Sequence, residues 1–467
     1  MDSYLFEFKL VKLLLFWCLL PSIANAQVIA AGGYNNTIIV CSDSLVQDWG
    51  NNIYGQLGNG STITSTIPIQ IVGLNGVKSV SGGNYHLLAL LNNGNIWSWG
   101  RNFGGALGNG NNVDSDVPVL VTGIAGIKKI SSFGGHSLAL KNDSTVWAWG
   151  TNPFGELGNG TTVSSSNAIE VINLTKVIEI SGGLLHSLAL CDDRTVKAWG
   201  FNASGQLGDN TTTNRYSPVS VNGLAGITAI SAGGSHSLAL RGDGTIWAWG
   251  SNSGGQLGDG TNTTSLIPVQ VYNLTNITKI SAGGGHSLAI KSDSTVWAWG
   301  NNQYGELGTG NLTSSNHPLQ VVGLTSVIAI ACGSAHSVAL KADGTLWTWG
   351  YNIDGQLGVG DTLNRMLPTQ VNSLCTILFV PSKDKEEMSV LIYPNPVTSI
   401  LTVSTEGEKI KELSVINVIG EEVLKLERIA NSQKAIDISL WKAGVYFVEV
   451  ETEKGVVRKK VIKSTMY

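Results

Sequence analysis

The chain has 467 residues, 58 of them Gly and 14 Trp, with only 13% charged side chains and a formal net charge of −4. That length exceeds what one hydrophobic core serves, and the Gly- and Trp-rich, charge-poor composition predicts a turn-rich all-β chain, either two domains or a repetitive array with an accessory. Residues 27–380 hold 14 Lys and Arg against 18 Asp and Glu, a balance that leaves no cationic face for phosphates and excludes nucleic acid as a partner.

Lys9 and Lys12 precede an apolar run from Leu13 to Leu20, and Ala24-Asn25-Ala26 supplies the small residues a signal peptidase reads. Residues 1–26 are therefore expected to be a signal peptide cleaved after Ala26. The run falls short of the roughly 20 residues that cross a bilayer, and no later segment is long enough, so no membrane span is expected. Phe16-Trp17 ahead of Cys18 lacks the small residues of a lipoprotein site. The mature chain is thus expected to be secreted or held at the outer cell surface. Cys41, Cys191, Cys332 and Cys375 remain, scattered without a framework spacing, which predicts free, buried thiols.

From there Trp-Gly recurs at Trp49, Trp99, Trp149, Trp199, Trp249, Trp299 and Trp349, a period of 50 residues without one insertion. Each unit reads alike. A segment such as Ile280 to Ile290 is strand-like, Ser292-Asp293-Ser294 makes a turn, and Thr295 to Trp299 alternates as a second strand. Neighbouring units place Asp243-Gly244 and Asp343-Gly344 at the turn, where φ > 0 is cheap. An Asn-containing loop ending in Gly-Gln-Leu-Gly follows, then a polar stretch and a short strand such as Val269-Gln270-Val271. Units of this size made only of strands and loops predict propeller blades, seven of them, spanning residues 27–377. Val28 to Asn36 reads as the second part of a unit, and the seventh Trp-Gly unit ends near Cys375 without a following strand. The N-terminal strand is therefore expected to complete the last blade and remove an open edge. Cys41 and Cys375, both falling where the chain ends meet, are the pair to test for a bridge.

Two motifs carry a resemblance: GGxxHSLAL, as at Gly233 to Leu240, and WGxNxxGQLG, as at Trp249 to Gly258. Over about 350 residues the chain resembles the regulator of chromosome condensation repeat family. Kelch repeats, of similar period, place Tyr and Trp after their Gly pair instead. The resemblance implies a seven-bladed propeller serving as a protein-binding platform. The founding member's nucleotide exchange on a nuclear GTPase depends on loops the motif does not encode, and a signal peptide places this chain elsewhere. Secreted bacterial relatives include a β-lactamase inhibitory protein, so the scaffold serves binding alone; fold does not specify function.

After a linker at residues 378–389 comes a second domain, residues 390–467. Its segments Ile392-Tyr-Pro-Asn-Pro-Val397, Ile410 to Gly420 and Leu440 to Val448 alternate apolar residues with Gly turns, which predicts a small β-sandwich. They resemble the C-terminal sorting domain of the type IX secretion system. That resemblance implies a Bacteroidetes-type source, passage across the outer membrane engaging the type IX machinery, and removal of the domain on attachment or release.

His86, His136, His186, His236, His286 and His336 repeat at one place, with Asn36 there in the first copy. Metal ligation needs nitrogens about 2 Å from one ion, a spacing equivalent positions on radiating blades do not reach. They are expected to be scaffold residues bonding loop backbone, and no metal or cofactor is expected. Trp97 with Trp99 and Trp247 with Trp249 lie on one strand face. Recurrence in five blades predicts blade-to-blade packing, with the first position, Gln47 and Lys197 in two blades, the less buried. Gly355 and Gly358 are turn residues, since no helix follows to make a phosphate loop. No catalytic residues are identified, because no triad, carboxylate pair, EF-hand or HExxH pattern occurs.

The expected function is that of a surface or secreted binding protein, not an enzyme, whose inter-strand loops engage an unidentified protein or glycan. Asn111 to Asp116 and Thr211 to Tyr216 vary between units and are the candidate contacts. An architectural surface protein without a discrete ligand is the alternative. A polysaccharide-acting enzyme would need carboxylates converging on the propeller axis, which the sparse acidic residues disfavour.

Overall fold

The computed structural model describes residues 29–375 and 390–464, apart from 32–34, 42–43, 72, 373, 406–408, 418–420, 428, 430 and 453–454. The expected signal peptide, its cleavage site and the 378–389 linker lie outside the described residues. Two compact units divide the chain near residue 380.

In the first unit, seven four-stranded antiparallel sheets follow one another. The first holds Ile29–Ala31, Asn36–Val40, Val46–Gly50 and Ser65–Ile71. The others span residues 77–120, 127–170, 177–220, 227–270, 277–320 and 327–370. First strands of neighbouring sheets touch around the ring, and that of the seventh touches that of the first. The ring is closed: a seven-bladed propeller with each first strand innermost.

The segment Ile280 to Ile290 is not one strand. Gly283 to Gly285 breaks it into Ile277–Ala282 and His286–Lys291, and Gly283 N–H donates to the His286 carbonyl at 2.8 Å to close the turn. The second hairpin turns as expected, with Gly244 at φ 80 and the Asp243 carboxylate accepting from Thr245 N–H at 3.0 Å.

Second strands such as His236–Arg241 are buried on both faces, which explains their unbroken apolar run. The core lies between blades. Leu188, Leu190, Val196 and Leu207 of the fourth blade pack against Ile227, Ile230 and Trp249 of the fifth. The seven Trp of the Trp-Gly pairs are fully buried, while Trp97, Trp147, Trp247, Trp297 and Trp347 are half-buried. A buried Trp removes about 150–250 Å² from water, and its truncation in a packed core costs about 3–5 kcal/mol. Four of the five half-buried Trp lie under cations, as Lys141 over Trp147 at 5.3 Å and Arg241 over Trp247 at 5.2 Å.

Closure differs from the expectation. The N-terminal strand pairs within its own sheet, Ile29 opposite Ile39, and the seventh sheet is complete without it. The period of 50 fixes the repeat but not its phase, and each sheet begins one strand before the His. The ring instead closes by the contact that joins every other pair of blades. Ile39 and Trp49 pack against Val338, Leu340 and Leu346, and Gly360 N–H donates to the Thr66 carbonyl at 2.9 Å. A Cys41–Cys375 disulfide bridges the two end blades across 334 residues, where free thiols were expected. Cys191 and Cys332 are free and buried.

The second unit is a β-sandwich. One sheet orders Val390–Tyr393, Ile400–Thr405 and Gln433–Asp437. The other orders Glu422–Glu427, Ile410–Asn417, Gly444–Thr452 and Gly455–Lys463. Leu401 and Val403 from one, with Leu413, Val415, Val448 and Val450 from the other, form its core.

Candidate functional site

The repeated motifs first build the junctions. His186 Nε2 lies 2.9 Å from Ser237 Oγ of the next blade. That hydroxyl donates its one proton to the Gln206 carbonyl at 2.9 Å, and Trp249 Nε1–H donates to the same carbonyl at 2.8 Å. The Ser proton being spent, His186 must donate from Nε2 and is the neutral Nε2–H tautomer. Equivalent pairs are His86 with Ser137, His136 with Ser187, His236 with Ser287, His286 with Ser337, and His336 with Thr37 across the closure. The histidines are therefore scaffold residues, but their partner is a hydroxyl of the next blade and not loop backbone. Burial lowers His236 to about 4 and His136 to about 3. At the one junction between the first and second blades, Asn36 replaces His and Leu87 replaces Ser; Trp99 Nε1–H still reaches the Gln56 carbonyl at 2.8 Å.

Above these junctions the third-to-fourth strand loops form one face. Each is held by the Asn of its Trp-Gly-x-Asn motif. Asn252 Oδ1 accepts Leu257 N–H at 2.9 Å, while Nδ2 donates to the Thr261 and Thr263 carbonyls at 3.0 and 3.2 Å. The Gly-Gln-Leu-Gly end laps onto the next blade. Gly358, at φ +70, sits against the Trp49 indole, and a Cβ there would collide with the ring. This face is thus a braced platform, and some of its exposed side chains take no part in the bracing.

Glu156 and Glu306 stand where other blades have Gln or Ala. Their carboxylates accept Phe154 and Tyr304 N–H at 2.8 Å, as Gln206 accepts Ser204 N–H at 3.0 Å. Burial raises both to about 7, against those N–H bonds. A folded value above the unfolded one means stability is full below about pH 4.5 and lost as pH rises through 7. Each ionised carboxylate then costs about 3 kcal/mol, so Glu156→Gln with Glu306→Gln is expected to raise the urea midpoint at pH 8 and leave it unchanged at pH 4.5. Equal gains at both pH values would sink this account.

Around the axis the inner turns bond to one another, Asn84 N–H to the Gly134 carbonyl at 2.9 Å and Gly234 N–H to Gly283 at 3.0 Å. Those turns, residues 83–85 and their equivalents, carry no Asp or Glu, so the carboxylates a polysaccharide hydrolase needs do not converge there. Asn111 to Asp116 and Thr211 to Tyr216 do lie on the loop face. They are partly scaffold: Asp114 accepts Asn102 N–H at 2.7 Å, as Asn214 accepts Asn202 N–H at 2.9 Å, and Arg215 pairs with Asp209 at 2.7 Å. Val113, 71% exposed, and Tyr216, 46% exposed, are free to make contacts.

Sequence reading missed a cluster between the first and second blades. The Arg101 guanidinium lies 4.6 Å from the Tyr54 ring centroid, 5.6 Å from Tyr85 and 5.3 Å from Phe103. The signal was available in the 50-residue register, where Arg101 is the only cation among Asn51, Thr151, Phe201, Ser251, Asn301 and Tyr351.

Comparison with known proteins supports this architecture. Residues 163–382 match the RCC1-like domain, 48–90 and 93–140 match the Regulator of chromosome condensation (RCC1) repeat, and 77–106 match a second model of that repeat. Residues 391–464 match the Secretion system C-terminal sorting domain. Human WBSCR16 is similar in structure at 24% identity and TM-score 0.64, over 72% of this chain and 93% of that one. Prp20p from Saccharomyces cerevisiae is similar at 22% identity and TM-score 0.63, over 79% and 90%. Yeast RCC1 (Prp20) bound to Kap60 gives 22% and 0.64, over 84% and 94%. At these identities the likeness is one of fold. No curated protein sequence matches the chain.

Proposed function

From a chain that belongs to the regulator of chromosome condensation repeat propellers and ends in a secretion-system sorting domain, we propose an exported, non-catalytic binding protein whose loop face engages a partner. One observation carries this reading. Six of the seven junctions keep the His–hydroxyl pair and all seven blades keep the Asn-held loop, yet the exposed loop positions diverge into two unlike sectors. Ile53, Phe103 and Ile353 are 56%, 67% and 56% exposed, where the fourth to sixth blades carry Ala203, Ser253 and Gln303. Ile63, Val113, Val163 and Leu363 are likewise exposed, where those blades carry Thr213, Thr263 and Thr313. Leu312 and Tyr216 are exceptions in the polar sector. Since Thr and Ser satisfy the fold in three blades, the apolar side chains in the others serve something other than folding.

The first test is binding of the mature full-length chain to a glycan array and to proteins of its native surroundings. Replacing Asn111 to Asp116 and Thr211 to Tyr216 with the fifth-blade sequence Thr261 to Leu266 is expected to weaken binding at least tenfold; retained affinity would sink the reading. The N-terminal apolar segment and the C-terminal sorting domain both support export. N-terminal sequencing of the exported protein is expected to begin at Gln27, and deletion of residues 390–467 to hold the chain short of the outer surface by denying the type IX machinery its signal. Among the described residues no helix is long and apolar enough to cross a membrane.

A further inference from the structure

We propose that the apolar sector of the loop face is a docking site for a protein partner that presents an acidic side chain flanked by apolar ones, with Arg101 as its charged anchor; this rests on the binding reading above. Three observations carry it. First, the Arg101 frame draws on separate segments. Tyr54 comes from the first-blade loop, Tyr85 from the second-blade inner turn, and Phe103 from the loop that carries Arg101. Tyr54 and Tyr85 meet edge to face at 5.2 Å. Rings over a guanidinium hold its plane and leave the N–H edge for a bidentate acceptor.

Second, among the described residues Arg101 has no such acceptor. The two other arginines of the loop face are neutralised, Arg215 by Asp209 at 2.7 Å and Arg365 by Asp361 at 2.5 Å. Among the described residues no carboxylate forms an ion pair with Arg101. The surrounding face is otherwise acidic, with Asp114, Asp259 and Asp354 on its loops and Asp116 at the start of the strand Ser115–Leu120, so it repels an anionic surface at large while offering one point that favours a carboxylate.

Third, the frame is continuous in blade order with the apolar loops of the seventh, first and second blades. Apart from Phe103, their exposed apolar side chains, Ile53, Ile63, Val113, Ile353 and Leu363, are aliphatic. Outside the Arg101 frame these side chains offer neither the flat rings nor the hydrogen bonds that sugar hydroxyls require, whereas an Arg and aromatic rings set among aliphatic side chains make the composition of a protein hot spot.

The test pans a random dodecapeptide phage library on the immobilised full-length chain, then titrates the recovered synthetic peptides by fluorescence anisotropy. Enriched peptides are expected to share an Asp or Glu beside Leu, Ile or Phe. Arg101→Glu is expected to weaken them about 30-fold, and Arg101→Lys and Phe103→Ser about 10-fold. Gln303→Ala and Ser253→Ala, in the polar sector, are expected to change affinity less than about twofold. A peptide with its acid replaced by Lys is expected to regain affinity for the Arg101→Glu chain, a readout that misfolding cannot mimic. Enrichment without a carboxylate, or affinity indifferent to Arg101, overturns the proposal. Binding that depends on the polar sector, or binding of glycans alone, overturns it too while leaving the loop-face reading intact. Loop replacements without effect on any ligand sink both.

Discussion

Acidification from pH 7 to pH 4 is expected to unfold the propeller cooperatively, with uptake of up to six protons by the junction histidines. His86, His236 and His336 are lowered by burial to about 4, and His136, His186 and His286 to about 3. Neighbouring imidazoles oppose a second charge as well. A folded value below the unfolded 6.5 means the stability is full above pH 6.5 and lost as pH falls toward 3–4. At pH 5 each histidine then costs about 2 kcal/mol. Six together reach the whole stability of an ordinary domain, about 5–15 kcal/mol. The geometry explains why little relieves the cost, a backbone hydrogen bond with Asn36 at His336 apart. Nε2–H is given to a hydroxyl that has no further proton, and Nδ1 of His136, His186, His236 and His336 is buried without a partner, so an added proton there finds no acceptor. Urea midpoints taken between pH 4 and 8 measure this. Replacing His236 with Asn, the residue the first blade uses, is expected to reduce the pH slope by about one proton. A flat profile between pH 7 and 5 would show that the imidazoles are not buried as described. Together with Glu156 and Glu306, which lower stability on the alkaline side, they place the maximum near pH 7.

Breaking the Cys41–Cys375 bridge is expected to cost up to about 5 kcal/mol, the entropy of closing so long a loop in the unfolded chain. The bridge joins the first and seventh blades, whose other contacts are ordinary. Trp49 Nε1–H donates to the Gln356 carbonyl at 3.0 Å, and Thr37 Oγ1 bonds both that carbonyl at 2.8 Å and His336 at 3.1 Å. Closure is therefore noncovalent first and covalent second. The folded ring should survive mild reduction at 25 °C but unfold at a lower temperature and refold more slowly. Calorimetry of the chain with and without reductant, beside a Cys41→Ala, Cys375→Ala variant, measures the difference; coincident transitions would show that the bridge contributes nothing. Cys332, whose thiol burial pushes up to about 12, is not expected to substitute for either partner.

The repeat was plain in the sequence because propeller blades are locally encoded. Trp-Gly every 50 residues, a Gly pair before His and Asp-Gly turns each specify a hairpin or a loop from residues close in the chain. The same locality made the second Trp of each pair recognisable as buried and the first as less so. It misled on the ends. A period has no origin, so the segment around Val28 to Asn36 could be read as finishing the last blade, although its strand Ile29–Ala31 opens the first. The His partners escaped for a related reason: His186 and Ser237 are 51 residues apart, one repeat plus one position, and nothing in the local pattern tells which neighbour a side chain meets.

Turn chemistry, alternation and strand pairing act over a few residues, and they already specify an all-β chain of seven equivalent blades followed in sequence by a sandwich domain. The phase of the blades, the bridge between Cys41 and Cys375, the proton inventory of the junctions and the assembly of Tyr54, Tyr85, Arg101 and Phe103 into one frame emerge in the folded ring alone. Each of these depends on contacts between blades, and such contacts form only when the ring closes and brings together residues that the chain keeps tens to hundreds of positions apart.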